Sequence, residues 1–515
     1  MIMKQKTDFA GRFLLLCSSN IILQCIGFLY RILLSRYAGA EGLGVYRLAS
    51  SVYALLHATC LSGVTLACTR FASKWKAEKR DGAISSLVHW IFLIFGGLFV
   101  VSGSCVWFGR AYISDVLIGD PRVRLSIPIM LICLLLTSIE NIFKSIMIGS
   151  ERVDNAVISE LTEQTVRIFA AIVLLELYRT EDVGRTAALI FCASVISEIF
   201  SAAIMTGMYL SMLRSIRTLP PKGFRKDVCK TVFPVSAAAL CNNLIAAAGS
   251  VLLPKRLTST GISSHSAIAE LGMITGVAAP IITLPMALIT SLCTVTLPEV
   301  SARSHRPQEM PAFAEKVFRT LGLIAIPFTA LLLPLAPVIS RLFFYQAVDQ
   351  GIFLLMGLSC ILCYYQIMTS CFLNGCGQQG RNACIVTCGE ILQLILVWIL
   401  TGIPKLRIYG YISAQCIAPL LVSIVNFILL RRCDIVFFKI KTFLLEPTVC
   451  GILMFLWSRI FFSFYTGIMG QWHALFMTLL SSVIFYLILL RLLDIELSKY
   501  MSNIVRSHSF HPMFY

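Results

Sequence analysis

Charge is what this chain has least of. Only 13% of its 515 residues are Asp, Glu, Lys or Arg, against about a quarter in an ordinary soluble domain. Hydrophobic residues make up 57%, and mean hydropathy is +0.83. A water-soluble globule cannot hide that much apolar surface, so that class is excluded. Histidine is also sparse. The seven (His57, His89, His265, His305, His473, His508, His511) are scattered, which leaves no imidazole cluster for a metal or for catalysis. The 19 cysteines form no framework. Most stand singly in apolar segments, where cysteine acts as a small hydrophobe. The single CxxC, Cys360 to Cys363, lies in an apolar stretch without a second pair or a nearby histidine, so no zinc site is expected. Long hydrophilic stretches are missing too. A polytopic glycosyltransferase or ligase would need an external loop carrying catalytic carboxylates or histidine, and there is no room for one. Gly375 to Gly380 (GCGQQG) follows no strand, so it is not a phosphate loop. No cofactor and no catalytic residue is expected.

The apolar residues come in blocks of about twenty, enough at roughly 1.5 Å per residue to cross a hydrocarbon core of about 30 Å. About fourteen such spans can be drawn. The expected fold is therefore all-α and polytopic, the first span being an uncleaved membrane helix after the basic MIMKQKTDFAGR. The excess of basic residues is topological. With the N-terminus inside, cytoplasmic segments hold about 27 Lys and Arg and external ones about 12, as the positive-inside rule requires. Both termini are then cytoplasmic. The basic loops contact lipid headgroups, and nothing resembles a nucleic-acid-binding surface.

One stretch is used twice. GFLYRILLSRYAGAEGLGVYRL (Gly27 to Leu48) carries Arg31, Arg36 and Arg47 around a Gly-rich turn. Roughly 220–230 residues downstream come SVLLPKRL (Ser250 to Leu257), with Lys255 and Arg256, and LGMITG (Leu271 to Gly276). Leu43-Gly44 answers to Leu271-Gly272, Ile113-Ser114 to Ile339-Ser340, and the turn at Ile146 to Ala156 to that at Cys371 to Ala383. Repeated halves are a signature of two-lobed transporters. The Pro-containing basic segment 214–230 separates them, giving an N-lobe at 1–213, a C-lobe at 231–431 and an appended helix pair with its tail at 432–515. Pro280 and Pro285 in one span imply a bent eighth helix.

Charges inside the spans are costly, at least about 2.5–3.5 kcal/mol at the bilayer centre. They are Arg31, Lys144, Arg167 and Arg459. Glu160, Glu163 and Arg167 share one face of the fifth span, and Glu140 and Lys144 form an i,i+4 pair in the fourth. Two readings stay open: these groups neutralise one another and hold helices four and five together, or they line a wet path along which a carboxylate carries protons. Arg167 is expected to be compensated by Glu163 or Glu160. Glu390, with Gln393 nearby, stands at the corresponding place in the second half. Arg31 either snorkels to outer headgroups or joins Arg36, Arg47, Lys255 and Arg256 in a cationic cluster suited to an anionic substrate, above all a phosphate. A drug or cation antiporter would need a carboxylate-dominated cavity instead.

GFLYRILLSRYAGAEGLGVYRL, LLPKRLTSTG, LGMITGVAAPIITLP and SLCTVTLPEVSA resemble the stage V sporulation protein B family. That family belongs to the lipid II flippase and polysaccharide-exporter branch of the multidrug/oligosaccharidyl-lipid/polysaccharide superfamily. The resemblance covers most of the chain. It implies two pseudo-symmetric six-helix lobes around a V-shaped cavity, and a terminal helix pair forming a groove for a lipid tail. It also implies a flippase that moves undecaprenyl-pyrophosphate-linked saccharide across the cell membrane for cell-wall or spore-cortex synthesis. On that resemblance Arg31 and Arg256 are the cavity cations for pyrophosphate. Two departures stand out. His57 occupies the second helix where lipid II flippases carry further arginine, and VFPVSAAALCNN lacks the acid of the family's sodium site.

Overall fold

The computed structural model describes residues 2–78, 83–150, 152–212, 220–221, 223–304, 308–433, 435 and 441–492, with side chains from Ile22 onward. Residues 214–219 and 222 of the basic segment 214–230, and the C-terminal tail after 492, lie outside the described residues. Everything regular among the described residues is helical. The elements are α1 (Ile2–His57), α2 (Gly63–Ala77), α3 (Ile84–Tyr112), α4 (Ser126–Gly149), α5 (Val153–Leu177), α6 (Val183–Met212), α7 (Phe224–Thr258), α8 (Ser264–Gly272), α9 (Ala279–Ile282), α10 (Met286–Arg303), α11 (Met310–Phe344), α12 (Gln350–Gly375), α13 (Gln379–Thr401), α14 (Ile408–Arg432), α15 (Glu446–Ile468) and α16 (Gln471–Leu492).

These map onto fourteen membrane spans. Twelve helical stretches are long and apolar enough to cross a bilayer, the first being Ile22–Lys76. That stretch is two spans, because α1 breaks at Gly39, whose φ of 64° is left-handed and costs glycine nothing. The second arm runs through a π-helical turn, Ala58–Ser62, into α2. The remaining span is α5, which spends its length on Glu160, Glu163 and Arg167 as well as apolar residues. The eighth span is broken as its prolines require: α8, a π-helical turn (Met273–Ala278), the short α9 with Pro280, and α10 beginning after Pro285.

The chain packs as two compact units, Met1–Gly276 and Val277–Tyr515. In the first, α6 packs on both α4 and α5, α2 on α4, and α7 and α8 lie along α1 and α2. Its core runs through Leu61, Val64, Trp75, Ile84, Leu87 and Ile142. The start of α7 is pinned by Phe224 edge-on to Trp75 (5.7 Å) and by Arg225 over Trp90 (5.0 Å). In the second unit α11 packs on α15, α12 on α14 and α13 on α14. Phe318 centres its core, with ring centroids of Phe372, Phe427 and Phe443 at 5.3, 5.1 and 5.5 Å. The appended helices α15 and α16 belong to this unit. Arg319 pairs with Glu446 at 2.9 Å, and Tyr486 donates to the Leu323 carbonyl. Asp349 caps α12, accepting from Gly351 N at 2.8 Å and from Tyr409 Oη at 2.6 Å. The tyrosine hydrogen bond, aided by backbone N–H groups, holds this carboxyl below its ordinary range. Large apolar side chains such as Phe108, Phe169, Leu177 and Ile468 point outward. Water would penalise that arrangement; hydrocarbon does not.

Candidate functional site

Three groups of polar residues occupy the first unit. The first is built on the break in α1. Arg122 anchors it, with its Nη2 on Asp120 Oδ2 at 2.8 Å and its Nη1 on Glu41 Oε1 at 2.5 Å. His265 Nδ1 meets the same Glu41 oxygen at 2.6 Å. This network joins the turn after Gly39, the loop before α4 and the start of α8. Beneath it the second arm of α1 crosses α8 backbone to backbone. A Cβ on Gly44 would stand 2.1 Å from the Ile268 carbonyl oxygen, and one on Gly272 would stand 1.8 Å from that of Ala40. No side chain fits at either glycine. These are the paired glycines of the repeated Leu-Gly motif.

The second group is cationic. Arg31 is exposed while its neighbours Tyr30 and Ile32 are buried. The fold at Gly39 turns the chain back so that Tyr46 and the like-charged Arg47 of the second arm come near it. Two arginines close together repel unless an anion or a carboxylate shares them, and a phosphate can take both. Arg36 is exposed further along the first arm, and Arg256 is half-buried near the end of α7. Lys255 has other work: its Nζ donates to the carbonyls of Val116 (2.9 Å) and Leu117 (2.6 Å). It thus caps the π-helical end of the third span, Ile113–Ile118. His57 is half-buried beside Tyr53, with ring centroids 6.2 Å apart.

The third group lies within the bilayer between α4, α5 and α6. Arg167 pairs with Glu163 and reaches Glu198 Oε1 at 3.7 Å. Lys144 lies 3.6 Å from Glu140 and 3.4 Å from Glu160. Carboxylate oxygens of Glu140, Glu163 and Glu198, all buried, lie within 4.8 Å of one another. Glu160 thus pairs with the lysine of α4, and the second partner of Arg167 is Glu198 of α6. Spacing along one helix finds i,i+4 pairs but is silent on a partner 31 positions away. The readable signal for Glu198 was a lone acid in the otherwise apolar α6. Tyr46 of the second arm packs on α6, its ring 5.2 Å from that of Phe191. In the second unit Glu390 is half-buried on α13 and has no ion pair among the described residues.

The chain resembles known proteins along most of its length. A family model described as polysaccharide biosynthesis protein matches residues 11–303. Stage V sporulation protein B of Bacillus subtilis (strain 168) is 20% identical over 467 residues, spanning 88% of this chain and 90% of that one. Sporulation protein YkvU of the same organism is 20% identical over 440 residues, spanning 81% and 94%. Among solved structures, the lipid II flippase MurJ in an inward closed conformation superposes with a TM-score of 0.68 at 16% identity, over 92% of this chain and 98% of that one. An inward-facing multidrug resistance MATE family transporter of the MOP superfamily gives 0.61 at 14% identity, over 80% and 94%. At such identities the structural likeness is one of fold.

Proposed function

Because the chain belongs to the polysaccharide biosynthesis protein family and is a multi-pass membrane transporter of the MOP superfamily fold, we propose that it is a flippase. Its cargo in this reading is an undecaprenyl-pyrophosphate-linked saccharide, such as a peptidoglycan precursor for the cell wall or spore cortex, moved between leaflets by alternating access. The observation that carries the reading is that the break at Gly39 folds the two arms of α1 so that Arg31 of one and Arg47 of the other come near each other. A pyrophosphate diester carries two negative charges and fits bidentate guanidinium donors. Arg31 and Arg256, the arginines of the repeated motif, hold the pyrophosphate. Arg36 and Arg47 draw it in, while Lys255 fixes the end of the third span nearby. The partners are then a lipid-linked anionic saccharide and the membrane itself, with both termini cytoplasmic. The names of the sporulation relatives and of the lipid II flippase agree with a cell-wall cargo.

The buried carboxylates favour a second reading, a drug or cation antiporter like the multidrug transporters of the same fold. The two separate on cargo. Purified protein in liposomes should flip a polyprenyl-pyrophosphate-linked oligosaccharide. Arg31→Lys and Arg256→Lys should slow it partially and the corresponding Ala variants by tenfold or more, about 1.4 kcal/mol of lost interaction each. Wild-type rates in both Ala variants, or exchange of a lipophilic cation instead, would remove the pyrophosphate role.

A further inference from the structure

The group between α4, α5 and α6 does not balance. Glu140, Glu163 and Glu198 are 2, 7 and 4% exposed, and Glu160 joins them from a partly open position. Among the described residues, the cations paired with these carboxylates are Lys144 and Arg167. Even leaving Glu160 aside, three buried carboxylates face two cations. Glu140 Oε1 and Glu198 Oε2 are buried without a hydrogen-bond partner. An uncompensated carboxylate buried in low dielectric costs several kcal/mol, whereas binding a proton removes the charge. Lys144 and Arg167 already fill the space among the acids, which disfavours a multivalent metal ion there. A proton needs no such room.

A second observation comes from outside the acids. Tyr30 Oη, on a residue 8% exposed, is buried without a partner, and its ring lies close enough to Arg167 to interact with its charge. Arg167 Nε is likewise buried and unpartnered. The guanidinium therefore has a donor to spare and a phenol beside it, and it contacts Glu163 more closely than Glu198. The other groups facing Glu198 include Tyr53 of α1 and Cys133 and Thr137 of α4, all ordinarily neutral.

We propose that Glu198 binds and releases one proton in each transport cycle, with Arg167 as the group that exchanges for it. In the loaded state Arg167 stays with Glu163 and the Glu198 carboxyl carries the proton. In the empty state Arg167 takes both carboxylates, and the Glu198 O–H proton passes to water, leaving carboxylate and hydronium. The inference rests on the transport reading above and names its driving ion.

The test uses the full chain in liposomes with the membrane potential clamped at zero. The probe is a fluorescent polyprenyl-pyrophosphate-linked disaccharide, read as its steady-state distribution between leaflets. One coupled proton shifts that ratio about tenfold per unit of pH gradient, and Glu198→Gln abolishes the shift. A full pH response in Glu198→Gln, or a response of the wild type to a sodium gradient alone, overturns the proposal. Infrared difference spectra across a pH step on the purified wild type provide a readout independent of flipping and of how Glu198→Gln folds. A protonated-carboxyl band sensitive to D2O is expected, and it should vanish in Glu198→Gln or, failing that, weaken in Glu198→Asp. Its absence in wild type refutes the proton site even if the probe is flipped. Its presence without any flipping refutes the flippase reading and leaves the proton site standing.

Discussion

The interiors of the two units solve the same packing problem with different chemistry. Between α4, α5 and α6 the first unit gathers four carboxylates, three of them buried, with a lysine and an arginine. Around α11, α12 and α14 the second unit packs Phe372 and Phe427 on Phe318, and Glu390 on α13 has no ion pair among the described residues. Both units are helical, and they differ in what fills them. Aromatic packing is satisfied in one arrangement and stays there. On the exchange proposed above, an ion-pair group with an excess acid gains a second arrangement, separated from the first by a proton and a guanidinium swing. The first unit is then where a cycle is driven.

That contrast breaks most readily at Arg167. Arg167→Ala strands Glu163 and Glu198, at a cost of about 3–5 kcal/mol, so little monodisperse protein should survive detergent extraction and size-exclusion chromatography. Adding Glu163→Gln should restore a good part of it, because pairs within one network are not additive. If the double variant is as poor as the two losses summed, the pairing is wrong. Next in size comes Gly272→Ala, whose new methyl has no space against the Ala40 carbonyl. Thermal melting should register about 1–3 kcal/mol of loss. Gly380→Ala on α13, with nothing within 4 Å of its added Cβ, should be neutral or mildly stabilising. The smallest effects belong to the second unit: Phe318→Leu should cost less than about 1.5 kcal/mol and Glu390→Gln less than about 0.5 kcal/mol. Losses there as large as that of Arg167→Ala would erase the distinction between the units.

Much of this was legible because a bilayer enforces simple rules. Spans of about twenty residues, the break among the glycines after Arg36, and the bend at Pro280 and Pro285 all follow from backbone constraints that act locally. The i,i+4 pairs Glu140–Lys144 and Glu163–Arg167 are likewise local. What spacing could not supply were choices made across helices. Glu160 turns to Lys144, Glu198 joins Arg167 from α6, and Lys255 reaches the carbonyls of Val116 and Leu117. The Asp120–Arg122–Glu41–His265 network is of the same kind, with members that lie far apart in the chain and meet only once α1, α4 and α8 are assembled.

The crossing at Gly44 and Gly272 has a consequence for heredity. Each glycine faces a main-chain carbonyl, so no exchange of side chains elsewhere can make room for a substitution at either. Most damaged contacts in a protein can be repaired by trimming the opposing residue; this one has nothing to trim. A suppressor screen begun from Gly272→Ala should therefore return revertants, or changes at helix-bending positions such as Pro254 and Pro280, rather than smaller residues at the facing positions. The two glycines of the repeated Leu-Gly motif thus mark a fixed boundary between the two helices.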